Sequence, residues 1–364
     1  MTQSIPIEAV NAHFGGRWTA VYERRGGADK RLVVVQRGTR PQDVVVLENK
    51  VHPEAPSEET LALPDGEIFT YRTLLHDPGI PGLSSINEHF SDLRVIRYRP
   101  SKRVTFSATD NKGNVCIVKC LGAQQAAGVF ESMQKVFALK DELPFSVSRP
   151  LLLNKNTNVL VQSLVAGESL RSKVLDVSFG DFTSMARCIK ALHDSNALFS
   201  DIFRSHEQFL RSWRYRIEIE NRFPVFASRL DRLWQELEAC LKQSHRQNSL
   251  KPIHGSLHSH QWLLHEKQLG LIDFDRAAMG HPENDIGTFL AEWDFEKSRL
   301  GEYVKSKFSA TLNGYDERLI AFYRAHKHLA EAFKASKRPN ESEATARIHR
   351  NLASATAIAQ GTIS

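Results

Sequence analysis

The residues best suited to chemistry are concentrated in one stretch, IHGSLHSHQWLLHEKQLGLIDFD, which covers residues 253–275. It brings histidines, serines and two aspartates together between short apolar runs. Asp273 stands inside the apolar run LIDF, and a carboxylate in such a strand requires hydrogen-bond donors, a cation or a metal as its partner. The stretch therefore predicts a functional site with Asp273 as a candidate metal ligand.

Two other chemistries fit this stretch poorly. Five histidines fall between residues 254 and 281, but their H-x₃-H-x-H spacing differs from the helical H-E-x-x-H arrangement of zinc sites, and no cysteine is near. A Ser-His-Asp hydrolase built on Ser256 needs a strained G-x-S-x-G turn, which the sequence HGSLH does not supply. A zinc enzyme and a serine hydrolase are therefore both disfavoured.

The stretch resembles the signature of aminoglycoside phosphotransferases and their sugar-kinase relatives, which reads H-G-D-L-H-x-x-N/Q, then I-D-F-D/E, then G-x-P-x-x-D. Glutamine at the N/Q position is closest to maltokinase-like members. The resemblance implies a protein-kinase-like fold, ATP and Mg²⁺ as cofactors, and a hydroxyl group as phosphate acceptor. The matching positions are His254, Gly255, Leu257, His258, Gln261, Ile272, Asp273, Phe274, Asp275, Gly280, Pro282 and Asp285.

The resemblance assigns roles to the residues around the catalytic loop. Asp273 and Gln261 would bind Mg²⁺ through a carboxylate and an amide carbonyl, because a hard cation prefers oxygen ligands. Asp285 would brace the loop with hydrogen bonds, and His254 would do similar structural work. Such bracing matters because phosphoryl transfer depends mainly on positioning and electrostatics.

Ser256 is the departure from the family pattern, which has at this position the aspartate that accepts the proton of the attacking hydroxyl. A serine hydroxyl is not a base near neutral pH without help, and losing a general base costs about 10² to 10⁴ in rate. His258 and Asp275 are titratable neighbours, but both are ordinary in the family pattern and neither is a compensation. An impaired phosphotransferase and a nucleotide-binding pseudokinase therefore both stay open.

The nucleotide half of the site is implied by residues upstream. Lys119 in VCIVK matches the family lysine that pairs with the α- and β-phosphates, at the end of a strand. Ile117 lies two residues earlier on the same face and would cover the adenine, and Glu131 in the following helix would orient Lys119. The remaining implied nucleotide contacts are Lys102, in the phosphate-covering turn RPSK, and the hinge residues Gln162 and Leu164.

The elements that must position these residues fall into three predicted regions. Residues 1–90 carry short β-rich runs and end in HDPGIPGL, which predicts an extended connector. Residues 91–166 predict three strands, a helix with Ala126, Phe130, Met133 and Phe137 on its buried face, and two more strands, as in a kinase-like small lobe. Residues 167–364 are mainly helical and contain the catalytic loop. The predicted fold class is α+β, protein-kinase-like and two-lobed, with an N-terminal β-containing extension.

Composition excludes several classes of protein. The hydrophobic share of 41% and the charged share of 25% are ordinary for a soluble globular protein. No apolar run is long enough for a membrane span, the N-terminus lacks a signal-peptide pattern, and the four cysteines show no CxxC spacing. We therefore expect a cytoplasmic protein without a membrane partner.

The net charge of +6 raises the alternative of nucleic-acid binding. The basic residues are scattered among acids, however, and residues 204–232 alternate arginine with glutamate and aromatics, as a solvated amphipathic helix does. The sequence therefore favours a phosphotransferase that acts on a small-molecule hydroxyl, in a sugar, an amino sugar or an aminoglycoside-like compound, over a nucleic-acid-binding module.

Overall fold

The computed structural model of the chain describes residues 5–25, 30–49, 60–64, 66–122, 126–171, 180–244, 250–294, 299–311 and 314–361. The chain forms two compact units. The first comprises Met1–Phe130, Pro150–Leu164 and Lys337–Ala344, and the second comprises Glu131–Arg149, Val165–Ser336 and Thr345–Ser364. The boundaries predicted at residues 90 and 166 stay a prediction.

The first unit begins with one helix and an antiparallel sheet of five strands in the order β1-β2-β3-β5-β4. Its runs RLVVVQ and VVVLE form central strands because β-branched residues suit a pleated surface that is buried on both faces. The elements are α1 (Ile7–Phe14), β1 (Thr19–Arg25), β2 (Arg31–Gln36), β3 (Val44–Glu48), β4 (Thr60–Ala62) and β5 (Ile68–Thr73).

A second antiparallel sheet completes the first unit, with strand order β6-β7-β8-β10-β9. The five strands and the helix between β8 and β9 occur in the predicted order, and this helix passes from the first unit into the second after Phe130. The elements are α2 (Ile86–His89), β6 (Phe90–Arg99), β7 (Arg103–Asp110), β8 (Val115–Leu121), α3 (Ala126–Ala138), β9 (Pro150–Asn154) and β10 (Val159–Ser163).

The two sheets of the first unit share one hydrophobic core. Val34 and Val46 of the first sheet pack in the same buried cluster as Val104, Phe106 and Val118 of the second. Successive strand residues point to opposite faces, so the other face of the first sheet forms a separate cluster with α1. The N-terminal strands are therefore an integral layer of the unit that carries Lys119.

Two local predictions were wrong. The segment 76–83 is not extended, because a 3-10 turn at Leu74–His76 leads into it and a second 3-10 turn at Pro81–Leu83 forms its last three residues. In α3 the buried apolar positions are Ala126, Val129, Met133 and Val136, whereas Phe130 and Phe137 are only half-buried. The two stripes share Ala126 and Met133, and Val129 and Val136 take the buried positions that were predicted for Phe130 and Phe137.

The second unit is mainly helical and contains two small three-stranded sheets, ordered β11-β14-β15 and β12-β16-β13. No helix in the described ranges is long and apolar enough to cross a membrane. The elements are β11 (Glu168–Ser169), α4 (Gly180–His193), β12 (Ile202–Phe203), α5 (Ser205–Arg222), α6 (Ala227–Gln243), β13 (Lys251–Ile253), β14 (Trp262–His265), β15 (Gln268–Leu271), β16 (Ala278–Gly280), α7 (Glu283–Trp293), α8 (Arg299–Thr311), α9 (Glu317–Ser336) and α10 (Glu341–Ala359).

The core of the second unit surrounds the strands that carry the catalytic loop. The predicted stripe of α4, Met185, Ile189 and Leu192, is fully buried and joins one cluster with Trp262 and Trp293. Because Trp262 opens β14 and Trp293 ends α7, the same cluster holds both elements that flank the candidate site. The core thereby fixes the elements on which the loop depends.

Candidate active site

Strand pairing in the second unit brings the catalytic loop and Asp273 together. Residues 254–258 follow β13 and lead into a 3-10 turn at Ser259–Gln261. β14 and β15 form an antiparallel hairpin, and β13 pairs with β16. The chain between β15 and β16, which contains Asp273, therefore returns beside the loop, and the backbone N–H of Ile272 donates to the carbonyl of Gln261 at 3.1 Å.

Asp285 holds the first turn of the loop. Its carboxylate, fully buried near the start of α7, accepts hydrogen bonds from the backbone N–H groups of His254 at 2.7 Å and Gly255 at 2.8 Å. His193, at the end of α4, places its Nε2 3.1 Å from the same carboxylate and its Nδ1 3.1 Å from the hydroxyl of Tyr315. These are the contacts expected of Asp285, whereas its place in a catalytic centre stays a prediction.

Gly255 allows the loop to touch the turn that follows Asp273. Its φ of +77° lies in the left-handed region, and a Cβ at this position would stand 2.1 Å from the carbonyl oxygen of Arg276. A larger residue would therefore be strained and would also clash with backbone. The loop and the turn at Arg276 are in direct contact at the residue before Ser256.

His254 ties the loop to the strand that leads to Asp273. Its Nε2 lies 3.0 Å from the carbonyl oxygen of Ile272, so Nε2 carries the proton. Its ring also packs against Phe274, with 4.7 Å between ring centroids. Nδ1 is buried and has no hydrogen-bond partner in the part of the chain that the structure describes. These contacts suit the structural work expected of His254.

Glu292 braces the far end of the loop, a contact that the sequence did not predict. Its carboxylate accepts a hydrogen bond from the backbone N–H of Ser259 at 2.8 Å and from the Ser259 hydroxyl at 2.6 Å. Glu292 follows Asp285 by seven residues, two helical turns, so both carboxylates lie on one face of α7. One helix therefore anchors both ends of the loop. The spacing of seven residues between Asp285 and Glu292 is the feature of the sequence from which the role of Glu292 could have been predicted.

Asp273 and Gln261, the predicted metal ligands, lie together. Asp273 is half-buried and has a φ of +72°, in the left-handed region that few residues other than glycine adopt and in which aspartate is enriched. Gln261 accepts from the His258 backbone N–H through Oε1 at 2.7 Å and directs its amide nitrogen toward Asp273 at 3.5 Å. The His258 N–H is a donor and the Asp273 carboxylate is an acceptor. Together they determine which end of the Gln261 amide faces Asp273. In this orientation Gln261 contacts Asp273 through nitrogen rather than oxygen.

Ser256 and His258 occupy the middle of the loop and are both half-buried. Burial, followed by the positive charges of Lys327 and Lys334, lowers the pKa of His258 to about 3. The imidazole is therefore neutral at physiological pH and is a weak base there. The middle of the loop therefore offers a serine hydroxyl and a neutral imidazole, and the predicted role of Ser256 toward an acceptor hydroxyl stays a prediction.

Lys119 lies inside β8, two residues before its end at Leu121, and its side chain is buried. It shares one face of the sheet with Ile117, because the alternate residues Cys116 and Val118 face the core between the two sheets. On the neighbouring strand β10, Gln162 pairs with Ile117. The structure thus brings together three of the residues predicted to contact a nucleotide.

The turn at residues 99–102 is organised by Asp77, which the sequence did not identify. The buried Asp77 carboxylate accepts hydrogen bonds from the Ser101 backbone N–H at 2.7 Å and from the Tyr98 hydroxyl at 2.6 Å. Gly79 packs so closely that its Cβ, if present, would stand 2.5 Å from the Ser101 Cα. Lys102 remains exposed at the end of this turn.

Glu131 and Leu164 are the two remaining predicted contacts. Glu131 is exposed, and its carboxylate pairs with Lys135 at 2.6 Å and with the Ser200 hydroxyl at 2.5 Å. Glu131 belongs to the second unit and Lys119 to the first, so the orientation of Lys119 by Glu131 stays a prediction. Leu164 is exposed, and the chain enters the second unit directly after it.

Comparison with known proteins gives one family. The sequence model of a family described as "Phosphotransferase enzyme family" matches residues 105–352. No curated protein matched the chain as a sequence.

Solved structures with a similar fold come from phosphotransferases and kinases. The chain is similar to the GDP and kanamycin complex of APH(2")-IIia, with 11% identity and a TM-score of 0.54 over 78% of this chain and 98% of that one. It is also similar to a thermostable mutant of aminoglycoside phosphotransferase APH(4)-Ia, with 11% identity and a TM-score of 0.56 over 78% of this chain and 98% of that one. For choline kinase LicA from Streptococcus pneumoniae the values are 16% and 0.52 over 74% and 96%. These likenesses confirm the predicted protein-kinase-like α+β fold.

Proposed function

The chain belongs to the phosphotransferase enzyme family, and we propose from that premise that it transfers the γ-phosphate of a purine nucleoside triphosphate to a hydroxyl group of a small molecule. The observation that carries the proposal is the loop at residues 254–258, anchored by the buried Asp285 directly beside Asp273. A loop fixed in this way supplies the positioning on which phosphoryl transfer depends.

Asp273 is the residue best suited to hold Mg²⁺ in the second unit. Its half-buried carboxylate offers the oxygen ligands that a hard cation prefers. Gln261, as it stands, donates toward Asp273 and so fixes the carboxylate; a role as a second ligand requires its amide to turn over. Bound Mg²⁺ would supply positive charge to the phosphate oxygens.

Lys119 is the proposed phosphate-binding group of the first unit. Its ammonium group carries a positive charge and three hydrogen-bond donors, the features by which a lysine binds phosphate. Ile117 on the same face would contact the base, and the neighbouring Gln162 lies beside it in the sheet. Lys102, exposed at the end of the turn at residues 99–102, would reach the phosphates from above the sheet.

Ser256 sets the expected rate. We place it where the family has its catalytic aspartate, so the acceptor hydroxyl would be oriented without a strong base. Because the transition state of phosphoryl transfer is loose, transfer would persist but more slowly, by about 10² to 10⁴. The second candidate function is a pseudokinase that binds nucleotide without transfer, and Ser256 is the observation that favours it.

The acceptor class follows the likenesses. One similar structure holds kanamycin and another is a choline kinase, so the fold serves hydroxyl acceptors of several chemistries. A sugar, an amino sugar or an aminoglycoside-like compound is the proposed acceptor, and the glutamine at position 261 favours the maltokinase-like sugar kinases among them.

Titration calorimetry with ATP and GTP, with and without Mg²⁺, tests this function. We expect Mg²⁺-dependent binding that weakens by about tenfold or more in Lys119→Ala and Asp273→Ala, since each removes a charge-assisted contact. The exposed Lys112→Ala and Asp141→Ala variants are the matched controls and should bind as the unmodified chain does. Nucleotide binding that none of these substitutions alters, or no binding of either nucleotide, would overturn the proposal.

A further inference from the structure

The arginines of β6 lie on one face of the second sheet because the strand is bulged. Val95 and Tyr98 of β6 both pack against the core between the two sheets. Strict alternation would place Arg94 and Arg97 on opposite faces, since three residues separate them. The pairing of β6 with β7 shifts by one residue between Val95 and Arg97, and such a bulge shifts the alternation too. Both arginines therefore point away from the core.

This basic face is the one that carries Lys119. Arg97 is paired with Thr105 of β7, which in turn is paired with Lys119 of β8. Arg99 is paired with Arg103, two residues closer to the turn. Adjacent strands are about 4.8 Å apart and alternate residues of a strand about 6.8 Å, so the Cα atoms of the four basic residues lie within about 12 Å of one another. Their long side chains can therefore reach one ligand.

The arginine row, which consists of Arg97, Arg99 and Arg103, runs from the interior of the sheet to its edge. Lys119 is buried, Arg103 is half-buried, and Arg97 and Arg99 are exposed. The last two belong to β6, which is the edge strand of the sheet. A linear ligand with one end at Lys119 would cross β7 and β6 on its way to the edge and would meet the arginine row along this path.

Positive charge exceeds negative charge on this part of the sheet. Asp92 and Asp110 are the only acidic residues between positions 90 and 121, and they stand at the end of the β6–β7 hairpin that lies away from the turn at residues 99–102. β9 and β10 contain no acidic residue. Asp77 adds one negative charge below the turn, where it accepts from the Ser101 N–H. One carboxylate does not balance the arginine row together with Lys102 and Lys119.

The chemistry of this face suits a chain of phosphates better than a nucleic acid. Guanidinium groups bind phosphate through paired hydrogen bonds, and Thr105 adds a hydroxyl between Arg97 and Lys119. Single-stranded nucleic acids require aromatic side chains on which their bases stack. The aromatic residues of β6 and β7 pack against the core on the other face instead: Phe90, Tyr98 and Phe106.

We infer that this face binds a linear chain of more phosphates than a nucleoside triphosphate contains, with one end at Lys119 and the following phosphates along the arginine row. The inference rests on the proposed function for the place of a phosphate at Lys119. It goes beyond that function because the proposed nucleotide site uses Lys102 and Lys119 and gives the arginine row no role. Inorganic polyphosphate and a nucleoside tetraphosphate both present such a chain.

Calorimetric titration of the full chain with phosphate compounds of increasing length tests the inference. The probes are tripolyphosphate, ATP, adenosine 5′-tetraphosphate and a size-fractionated long inorganic polyphosphate, all at the same free Mg²⁺ concentration. We expect the long polyphosphate or the tetraphosphate to bind at least about tenfold more tightly than tripolyphosphate or ATP, respectively, because each further charge-assisted contact adds about one decade. Added salt should weaken that binding. The probe that gains more identifies whether the chain is inorganic or carries a nucleoside.

Substitutions separate the arginine row from the nucleotide site. Arg97→Ala should weaken binding of the longer probe by about tenfold and leave the affinity for ATP unchanged. Lys119→Ala should weaken the binding of both. The matched control is Arg17→Ala, which removes an exposed arginine that precedes β1 in the same unit, and it should change neither affinity. Thermal unfolding of each variant shows that it is folded.

Several outcomes would overturn the inference. An affinity that does not rise with the number of phosphates would do so, as would long-chain binding that Arg97→Ala leaves unchanged. In both cases ATP binding that depends on Lys119 would leave the proposed function standing. A single-stranded oligouridylate that binds as tightly as polyphosphate would also overturn the inference and indicate a nucleic-acid surface. Binding of the long chain through Arg97, without any binding of ATP or GTP, would instead overturn the proposed function and support the arginine row as a phosphate-chain site.

Discussion

Asp77 accepts a hydrogen bond from the backbone N–H of Ser101 at 2.7 Å, across 24 residues of sequence. The same carboxylate accepts from Gly79 N–H at 3.0 Å and from the Tyr98 hydroxyl at 2.6 Å. Ser101 has a φ of +57°, an uncommon conformation for serine that these bonds offset. The segment that joins the N-terminal sheet to β6 therefore sets the shape of the turn that ends in Lys102.

Asp77→Ala is expected to weaken nucleotide binding through the turn. It leaves the N–H of the exposed Ser101 and the hydroxyl of the half-buried Tyr98 without their acceptor. The lost hydrogen bond costs about 1 kcal/mol at Ser101 and roughly 1–3 kcal/mol at Tyr98. Calorimetry with ATP should show weaker binding together with a lower unfolding temperature. The control is Asp110→Ala, which removes an exposed carboxylate that also holds a turn of the first unit. Unchanged ATP affinity in a folded Asp77→Ala protein would contradict the prediction.

The sequence predicted the strands and helices well because their signals are local. Continuous runs of valine define β2 and β3, and the stripe of Met185, Ile189 and Leu192 defines the buried face of α4, so each pattern can be recognised without knowing what it packs against. The HGSLH and LIDFD motifs were equally visible, because both the loop and the strand before Asp273 are short continuous segments.

The residues that brace the site were not predictable in the same way. Asp77, His193 and Glu292 act through hydrogen bonds to residues 24, 92 and 33 positions away. A polar residue in a turn or on a helix is usually solvated, and only the folded chain shows which of them faces a loop backbone. The amide orientation of Gln261 was hidden for the same reason, since it depends on the conformation at His258.

Asp285→Ala is expected to destabilise the second unit strongly. The substitution leaves the buried N–H groups of His254 and Gly255 without an acceptor, at a cost of roughly 1–3 kcal/mol for each. Urea unfolding should show this loss, and Glu292→Ala, which removes a half-buried rather than a fully buried carboxylate, should show a smaller one. A loss in Asp285→Ala no larger than in Glu292→Ala would refute the central role of Asp285 in anchoring the loop.

Gln261→Glu tests the contact between Gln261 and Asp273. It replaces a donor to Asp273 by a second carboxylate, so without Mg²⁺ the two like charges should repel and lower the unfolding temperature. Adding Mg²⁺ should restore stability, because two adjacent carboxylates bind a divalent cation well. The control is Gln268→Glu, at the exposed end of the β14–β15 hairpin. Its unfolding temperature should neither fall without Mg²⁺ nor rise when Mg²⁺ is added. An unfolding temperature of Gln261→Glu that Mg²⁺ does not raise would argue against a metal at Asp273.

Stability should fall in acid through Asp294, which is held by Arg324 and by His328 at 2.8 Å. Burial alone raises the pKa of Asp294, but the hydrogen bonds from His328 and Arg324 outweigh it and lower the pKa from its ordinary 3.8 to about 2. A carboxyl whose pKa is depressed on folding stabilises the protein above its unfolded pKa and loses that contribution as pH falls through the folded value. The contribution is about 2 kcal/mol, lost between about pH 4 and pH 2.

Urea unfolding of the unmodified chain and of Asp294→Asn over this range checks the prediction for Asp294. The difference between the two in free energy of unfolding should be constant above pH 5 and should shrink below pH 4. A difference that stays constant to pH 2 would show that Asp294 does not titrate with a depressed pKa in the folded protein.

Ser256→Asp decides between slow transfer and none. If Ser256 alone limits the rate, restoring a carboxylate on a loop that Asp285 and Glu292 already anchor should raise ATP turnover by about tenfold or more. Ser256→Ala, which removes the hydroxyl without adding a base, should show no such gain, and the added Asp273→Ala should abolish the gain if the metal site is required. Turnover is measured as ADP release with a sugar or an aminoglycoside present as the acceptor. The contrary result is a folded Ser256→Asp protein that binds Mg²⁺ and ATP but gains no turnover. The site would then differ from that of an active phosphotransferase by more than one residue, and the pseudokinase alternative would be the better description.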